Sequence, residues 1–131
     1  MCATIRPKRI LLVDDFEPWR WWLHSRLAAH TELQIVGEAV NGAEAVQKAR
    51  ELKPDLILLD IGLPDISGIE VAERIGQMDY RSEIVFVTQN NDPEVMSVAL
   101  ATGAKGYLLK TTATTGLIPA IEGALNLGHP K

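Results

Sequence analysis

The chain has 131 residues, a formal net charge of −4 at pH 7, and a composition of 47% hydrophobic and 23% charged residues. This length suits one domain around a single core, and the composition is that of an ordinary globular protein. The negative charge argues against nucleic-acid binding by these residues, because phosphate contacts need clustered Lys and Arg. No apolar run approaches the roughly 18 residues that a membrane helix needs, so we expect a soluble protein.

The N-terminal segment predicts no export signal. Met1 to Val13 contains basic residues, but its apolar stretch is short and stops at Asp14, unlike a signal peptide. We therefore expect a cytoplasmic protein. The one cysteine, Cys2, cannot form an internal disulfide, and we assign it no role.

Five short apolar runs alternate along the chain with segments whose apolar residues have helical spacing. The first, third and fourth runs are apolar at every position, as expected for strands of a parallel sheet with helices on both faces. This alternation predicts a doubly wound α/β fold with five strands, five helices and right-handed crossovers. The predicted strands are Ile10–Val13, Leu33–Val36, Leu56–Leu59, Ile84–Val87 and Tyr107–Leu109.

Residues that suit the first turn of a helix precede or open three of the predicted helices. Two pairs have the three-residue spacing of a capping box, and the third places a proline directly after a capping aspartate. The pairs are Ser67 with Glu70, Asn41 with Glu44, and Asp92 with Pro93.

The last predicted helix, between Thr112 and Leu127, contains Pro119. An interior proline costs about 3 kcal/mol, because it removes a backbone hydrogen bond and crowds the preceding turn. We therefore predict that this helix begins late, near Gly116. Pro119 would then lie in the first turn, where backbone donors are unpaired in any case.

Polar residues follow several of the apolar runs. Asp14 and Asp15 end the first run, and Asp60 ends the third. Ligands of doubly wound folds bind beyond the carboxyl ends of the strands, so these carboxylates should converge there. A single aspartate of this kind could simply cap a turn, but two strands that end in the same way indicate a site. Thr88 and Lys110 follow the last two runs and should reach the same edge.

These residues resemble the receiver domain of bacterial two-component response regulators. The resemblance covers about Ile10 to Leu127 and implies a flavodoxin-like sheet with the strand order 2-1-3-4-5. It divides the chain into an N-terminal extension (1–8), a receiver domain (9–127) and a linker or tail (128–131). The motif positions, in order, are Asp14-Asp15, DIGLP at Asp60–Pro64, Thr88, and KGYLLK at Lys105–Lys110.

The resemblance implies a magnesium site. Three carboxylates at one edge repel one another, and a divalent cation relieves this repulsion. Oxygen ligands and a shallow site suit Mg²⁺. By resemblance, Asp15 and Asp60 bind the ion directly, Asp14 binds it mainly through water, and the backbone carbonyl of Gly62 completes the protein ligands.

The resemblance also implies that the chain is a signalling phosphoacceptor rather than an enzyme. Asp60 would attack a phosphoryl group on a histidine of a sensor kinase and form an aspartyl phosphate. Lys110 and Mg²⁺ would offset the phosphoryl charge, and Thr88 would donate its hydroxyl. Tyr107 is at the position of the family's switch aromatic. Taken singly, Lys110 could be a solvated surface lysine and Thr88 an ordinary strand threonine. Tyr107 could be a half-buried tyrosine at the edge of the sheet.

Three positions are expected to set the rates of phosphorylation and hydrolysis. Gln89 follows Thr88, where receivers usually have Ala, Gly or Ser, and a larger side chain there could slow phosphoryl entry. Gly62 and Asn90 flank the expected path of an attacking water, and neither is a strong general base. We therefore expect slow self-dephosphorylation.

The first helix is rich in tryptophan. Trp19, Leu23 and Leu27 share one face at helical spacing and should face the core, whereas Trp21 points away from it. An exposed tryptophan is often a partner or dimer contact, although single exposed aromatics are also common. Both interpretations of Trp21 stay open.

The ending from Gly123 to Lys131 resembles the start of a linker in regulators with a C-terminal helix-turn-helix domain. Such a domain is not among these residues, so DNA contact would need one elsewhere. Phosphorylation could also favour a homodimer.

Two alternative functions stay open. One is an interaction module that acts without phosphorylation, which only Gln89 supports. Another is a phosphatase of the haloacid dehalogenase type, but its two aspartates are two residues apart, whereas Asp14 and Asp15 are adjacent.

Overall fold

A computed structural model describes residues 6–127. Five parallel strands form one sheet in the order β2-β1-β3-β4-β5, which confirms the expected topology. The strands are β1 Lys8–Val13, β2 Leu33–Ala39, β3 Leu56–Leu59, β4 Glu83–Thr88 and β5 Gly106–Leu109. The helices are α1 Glu17–Leu27, α2 Gly42–Leu52, α3 Gly68–Gly76, α4 Pro93–Ala101 and α5 Ala113–Leu125, with a 3-10 turn at Lys110–Thr112.

The sheet has a hydrophobic cluster on each face, because successive strand residues point to opposite sides. In β1, Leu11 and Val13 pack with α2, α3 and α4, while Ile10 and Leu12 pack with α1 and α5. All four side chains are at most 1% exposed. The continuous apolar runs of the central strands therefore reflect burial on both faces, as predicted.

Four strands are longer than predicted, since β4 gains Glu83 and Thr88, β5 gains Gly106, and β1 and β2 are also extended. Strand β1 begins at Lys8, so the last residue of the predicted N-terminal extension already belongs to the sheet. Strand β2 continues past Val36 to Ala39, because Gly37 and Glu38 pair with β1 after a register shift. A polar residue such as Glu38 is tolerated there because β2 is an edge strand.

The predicted late start of the last helix is wrong. Helix α5 runs from Ala113 to Leu125 with Pro119 in its interior. An amide at position 119 would have donated to the carbonyl of Thr115, but proline has no amide hydrogen. Both residues are exposed, so water can bind that carbonyl instead. On the opposite side, the fully buried Leu117 and Ile121 hold the helix against the sheet.

The predicted N-caps are confirmed. The side chains of Asn41, Ser67 and Asp92 each accept a hydrogen bond from a backbone amide of the first turn. In the predicted Ser67–Glu70 capping box, the serine hydroxyl accepts its amide hydrogen bond, but Glu70 forms an ion pair with Arg74 at 2.6 Å. Only the serine hydrogen bond of the box is therefore present.

Within residues 6–127, none of the helices is both long and apolar enough to cross a membrane. The expectations for Cys2 and for the tail at 128–131 lie outside the described residues.

Candidate functional site

Three carboxylates meet at the carboxyl edge of the sheet. Asp14 and Asp15 directly follow β1, and Asp60 directly follows β3. These two strands are paired in parallel, so their ends deliver the aspartates side by side. Each residue contributes an oxygen to a group whose atoms all lie within 4.8 Å of one another. The structure thus brings these residues together as the sequence predicts.

The three carboxylates differ in exposure. Asp14 is 2% exposed and Asp60 is 8% exposed, whereas Asp15 faces solvent. Backbone amides donate to Asp14 Oδ1 from Phe16 at 2.9 Å and to Asp60 Oδ1 from Gly62 at 3.2 Å. Asp14 Oδ2 is buried beside the ammonium group of Lys110.

Burial raises the pKa of Asp14. The charge of Asp60 raises this pKa further, while Lys110 and the Phe16 amide oppose the change. An ionised Asp14 therefore depends on nearby positive charge.

Lys110 supplies that charge. It is the first residue after β5, and its side chain is 10% exposed. Its Nζ forms an ion pair with Asp14 Oδ2 at 2.6 Å and donates to Asp60 Oδ2 at 3.4 Å. The lysine is therefore an integral part of the acidic cluster rather than a solvated surface residue.

A short chain of hydrogen bonds joins Thr88 to Tyr107. Thr88 ends β4 and is 2% exposed. Its Oγ1 accepts the Asn90 amide at 3.3 Å, and the Tyr107 hydroxyl donates to the Asn90 carbonyl at 2.7 Å. Burial raises the pKa of Tyr107, and the charges of Asp60 and Asp92 add to the effect. The ring of Tyr107 is thus tied to the loop after Thr88, while its role as a switch stays a prediction.

A pocket of about 460 Å³ opens over the cluster. A larger cavity of about 770 Å³ lies between the C-terminal ends of α2 and α3, away from the carboxylates, so size alone does not identify the site. The smaller pocket is lined by the predicted Asp15, Asp60, Gly62, Thr88, Gln89, Asn90 and Lys110, together with Phe16 and Ile61.

The sequence interpretation missed two aromatic residues at this site. Phe16 is 59% exposed and lines the pocket. Trp19 packs against the core cluster of Leu23 and Leu27, as predicted, but its ring centroid also lies 5.0 Å from Lys110 Nζ. One signal was available: α1 starts just beyond the acidic pair, so its first turn must lie near the site.

Trp21 lies elsewhere. It is 72% exposed, beside His24, Ser25 and Glu38, on the outer face of α1. Its exposure agrees with the sequence pattern, and its role as a partner contact stays a prediction.

The sequence profile of the family described as response regulator receiver domain matches residues 10–122. The chain belongs to this family. It is a receiver domain of two-component response regulators, and its role is in signalling. The haloacid dehalogenase alternative has no support in this assignment.

Several known proteins are similar to this receiver domain. The response regulator protein VraR of Staphylococcus saprophyticus is 35% identical over 120 residues, which cover 92% of this chain and 57% of VraR. The nitrate/nitrite response regulator protein NarL of Escherichia coli is 35% identical over 118 residues, which cover 90% of this chain and 55% of NarL. The receiver domain therefore spans about half the length of these curated relatives.

The fold also matches a solved structure. The crystal structure of a LuxR-family two-component response regulator from Aurantimonas sp. SI85-9A1 has a TM-score of 0.86 and 32% identity. The match covers 92% of this chain and 86% of that one.

Proposed function

We propose that Asp60 is a phosphoacceptor, which receives a phosphoryl group from a histidine of a sensor kinase. The observation that carries the proposal is the position of Asp60, at the base of an open pocket with Lys110 3.4 Å from its Oδ2. Family membership supports the same conclusion. The receiver domain catalyses its own phosphorylation and is not an enzyme acting on a separate substrate.

The transfer replaces one bond to phosphorus with another. An oxygen of Asp60 forms a bond to phosphorus, and the bond from phosphorus to the histidine nitrogen breaks. The imidazole leaves with the electron pair and takes up a proton. Lys110 offsets charge on the phosphoryl oxygens, and Thr88 donates its hydroxyl to one of them.

The acidic cluster fits Mg²⁺. All its side-chain donors are carboxylate oxygens, which suit a hard divalent cation. Asp14 Oδ2 is buried beside the ammonium group of Lys110 at 2.6 Å, and a carboxylate oxygen has a second lone pair to offer a cation. Asp14, Asp15 and Asp60 would hold the ion, with the carbonyl of Gly62 as a further ligand. Bound Mg²⁺ supplies positive charge that offsets the charge of the transferring phosphoryl group.

Signal output follows from a change of surface. The hydrogen bonds from Thr88 through Asn90 to Tyr107 support a coupling between phosphorylation and the loop between β4 and α4. Gly62 and Asn90 offer no strong base, which favours slow dephosphorylation.

The partners and location of the chain also belong to the proposal. DNA binding would come from an output domain beyond these residues, since the matched region makes up only 57% of VraR and 55% of NarL. Four further points stay predictions. They are a homodimer on phosphorylation, a partner contact through Trp21, the boundaries of the receiver domain at residues 9–127, and a cytoplasmic location.

The test is an adduct at Asp60. The chain is incubated with Mg²⁺ and acetyl phosphate, or with beryllofluoride, while mass and tryptophan fluorescence are followed. We expect one adduct on the wild type and on Asp79→Asn, a control at an exposed aspartate, and none on Asp60→Asn. A folded wild type without an adduct would contradict the proposal and favour the phosphorylation-independent interaction module.

A further inference from the structure

We propose that Trp19 is a positioning residue for Lys110, holding the ammonium group beside the acidic cluster. The proposal rests on the phosphoacceptor function of Asp60 and goes one step further. It assigns a role in phosphoryl transfer to a residue that touches neither the carboxylates nor, by our proposal, the phosphoryl group.

The contact itself is a cation over an aromatic ring. Lys110 Nζ lies 5.0 Å from the ring centroid of Trp19, and the lysine side chain is 10% exposed. Trp is the aromatic side chain that attracts a cation most strongly, and the attraction grows when the cation is desolvated. The ring and the oxygens of Asp14 and Asp60 together replace much of the water that an exposed ammonium would keep.

The ring of Trp19 is itself fixed. It stacks on Trp22 with 4.8 Å between centroids and 23° between planes. The guanidinium of Arg26 lies 5.5 Å from the Trp22 centroid, and its Nη2 donates to the carbonyl of Thr114 in α5 at 2.6 Å. Lys110, the two rings and Arg26 thus form a continuous stack, which we call the cation–indole ladder.

The ladder matters because lysine is flexible. A lysine side chain has a four-carbon stem with many rotamers, and an ammonium group is strongly attracted to water. A charge that is already in place stabilises a transition state without reorganisation at the moment of reaction. We infer that Trp19 limits the travel of the ammonium, so that Lys110 can move from Asp14 to a phosphoryl oxygen on Asp60 without first entering solvent.

The first test is spectroscopic and needs no metal. In the metal-free chain, the indole ring current should shift the NMR signals of the Lys110 ε-methylene protons upfield. We expect these signals to return to ordinary lysine positions in Trp19→Leu and to lie between the two in Trp19→Phe. Trp21→Leu is the matched control, because it removes an exposed indole from the outer face of the same helix, and it should leave the Lys110 signals where they are in the wild type.

The second test is kinetic. With Mg²⁺ and acetyl phosphate, we expect the phosphorylation rate constant of Trp19→Leu to fall about tenfold, with a partial rescue in Trp19→Phe. In a Lys110→Met background, Trp19→Leu should cause no further fall, because the two residues act as one unit. Circular dichroism and thermal unfolding identify the folded variants, and Trp19→Phe serves if Trp19→Leu does not fold.

Two results would overturn the positioning role. One is unshifted ε-methylene signals in the wild type, and the other is an equal fall in rate with and without the Lys110 ammonium, which would mean a packing effect. A wild type that takes up no phosphoryl group would instead contradict the function of Asp60, and with it any role of Trp19 in transfer. The metal-free spectra keep these failures apart, because they report the contact of Lys110 with Trp19 independently of phosphorylation.

Discussion

The ammonium nitrogen of Lys110 lies 2.6 Å from a carboxylate oxygen of Asp14, and both side chains are almost fully buried. The acidic cluster therefore has positive charge within it before any metal binds. By our proposal, Mg²⁺ at Asp14 and Asp60 would share these carboxylates with Lys110. Metal and lysine would then offset the same negative charge, and each could partly replace the other.

Removing the lysine should therefore make the fold depend on metal. We expect Lys110→Met to lower the free energy of unfolding of the metal-free chain by about 3 kcal/mol, because buried carboxylates lose their partner. Mg²⁺ should then raise the unfolding midpoint of the variant more than that of the wild type. Thermal unfolding with and without Mg²⁺ measures both. Lys105→Met, at an exposed lysine, is the control, and an equal effect of Mg²⁺ on all three proteins would refute the prediction.

Asp65 should make stability depend on pH. Amide hydrogen bonds from Gly42 and Ala43 at the start of α2 lower the pKa of Asp65 to about 2, from an ordinary value of 3.8. A lowered pKa contributes stability above pH 3.8 that is lost as the pH falls to about 2. We expect Asp65→Asn to flatten the curve of unfolding free energy in this interval, measured by urea titration. The control Asp79→Asn should keep the slope of the wild type.

Two glycines of α3 should respond in opposite directions to a methyl group. At Gly68, a Cβ would overlap the carbonyl oxygen of Asp60 and lie 2.8 Å from the Cα of Ile61. Gly68→Ala should therefore displace Asp60 and destabilise the fold by about 3 kcal/mol. At Gly76 a Cβ meets nothing within 4 Å, so Gly76→Ala should stabilise α3 by about 0.5–1 kcal/mol. Urea unfolding of both variants checks the signs, and a neutral Gly68→Ala would be inconsistent with the contact.

The hydroxyl of Tyr107 should matter in one signalling state only. In Tyr107→Phe the Asn90 carbonyl loses its partner, so the amide NMR signals of residues 89–92 should shift in the unphosphorylated chain. If phosphorylation releases Tyr107 from this loop, the spectra of wild type and variant should converge with beryllofluoride. Tyr80→Phe removes a similar 2.7 Å bond to the Ala49 carbonyl, outside the residues lining the site, and should leave these signals unchanged. Differences that persist with beryllofluoride would argue against a switch.

Gln89 should slow the entry of small phosphodonors. It is exposed at the pocket over Asp60, so Gln89→Ala should raise the rate constant of phosphorylation by acetyl phosphate several-fold. Gln77→Ala, at an exposed residue after α3, is the control. Equal rate constants for the wild type and both variants would show that Gln89 does not limit phosphorylation by acetyl phosphate.

The site was largely predictable because its residues follow apolar strands. Asp14 and Asp60 end such runs, and parallel strands place their carboxyl ends together, while the strand order itself came from the family resemblance. The contact between Trp19 and Lys110 was not predictable, because it joins distant parts of the chain through side-chain geometry. Asp65 capping α2 was missed for the same reason. The error at Pro119 arose because the sequence does not show which face of a helix meets water.

Pro119 also has a consequence for motion. Because it has no amide hydrogen, the hydrogen-bond ladder of α5 is interrupted at an exposed position, and local opening measured by amide hydrogen exchange should begin there. The stretch before Pro119 continues directly from the 3-10 turn that begins with Lys110. The lysine at the acidic cluster is thus joined to a half-helix that the fully buried Ala113 and Leu117 anchor to the sheet, so opening at Pro119 affects the exposed side of α5 and leaves Lys110 in place.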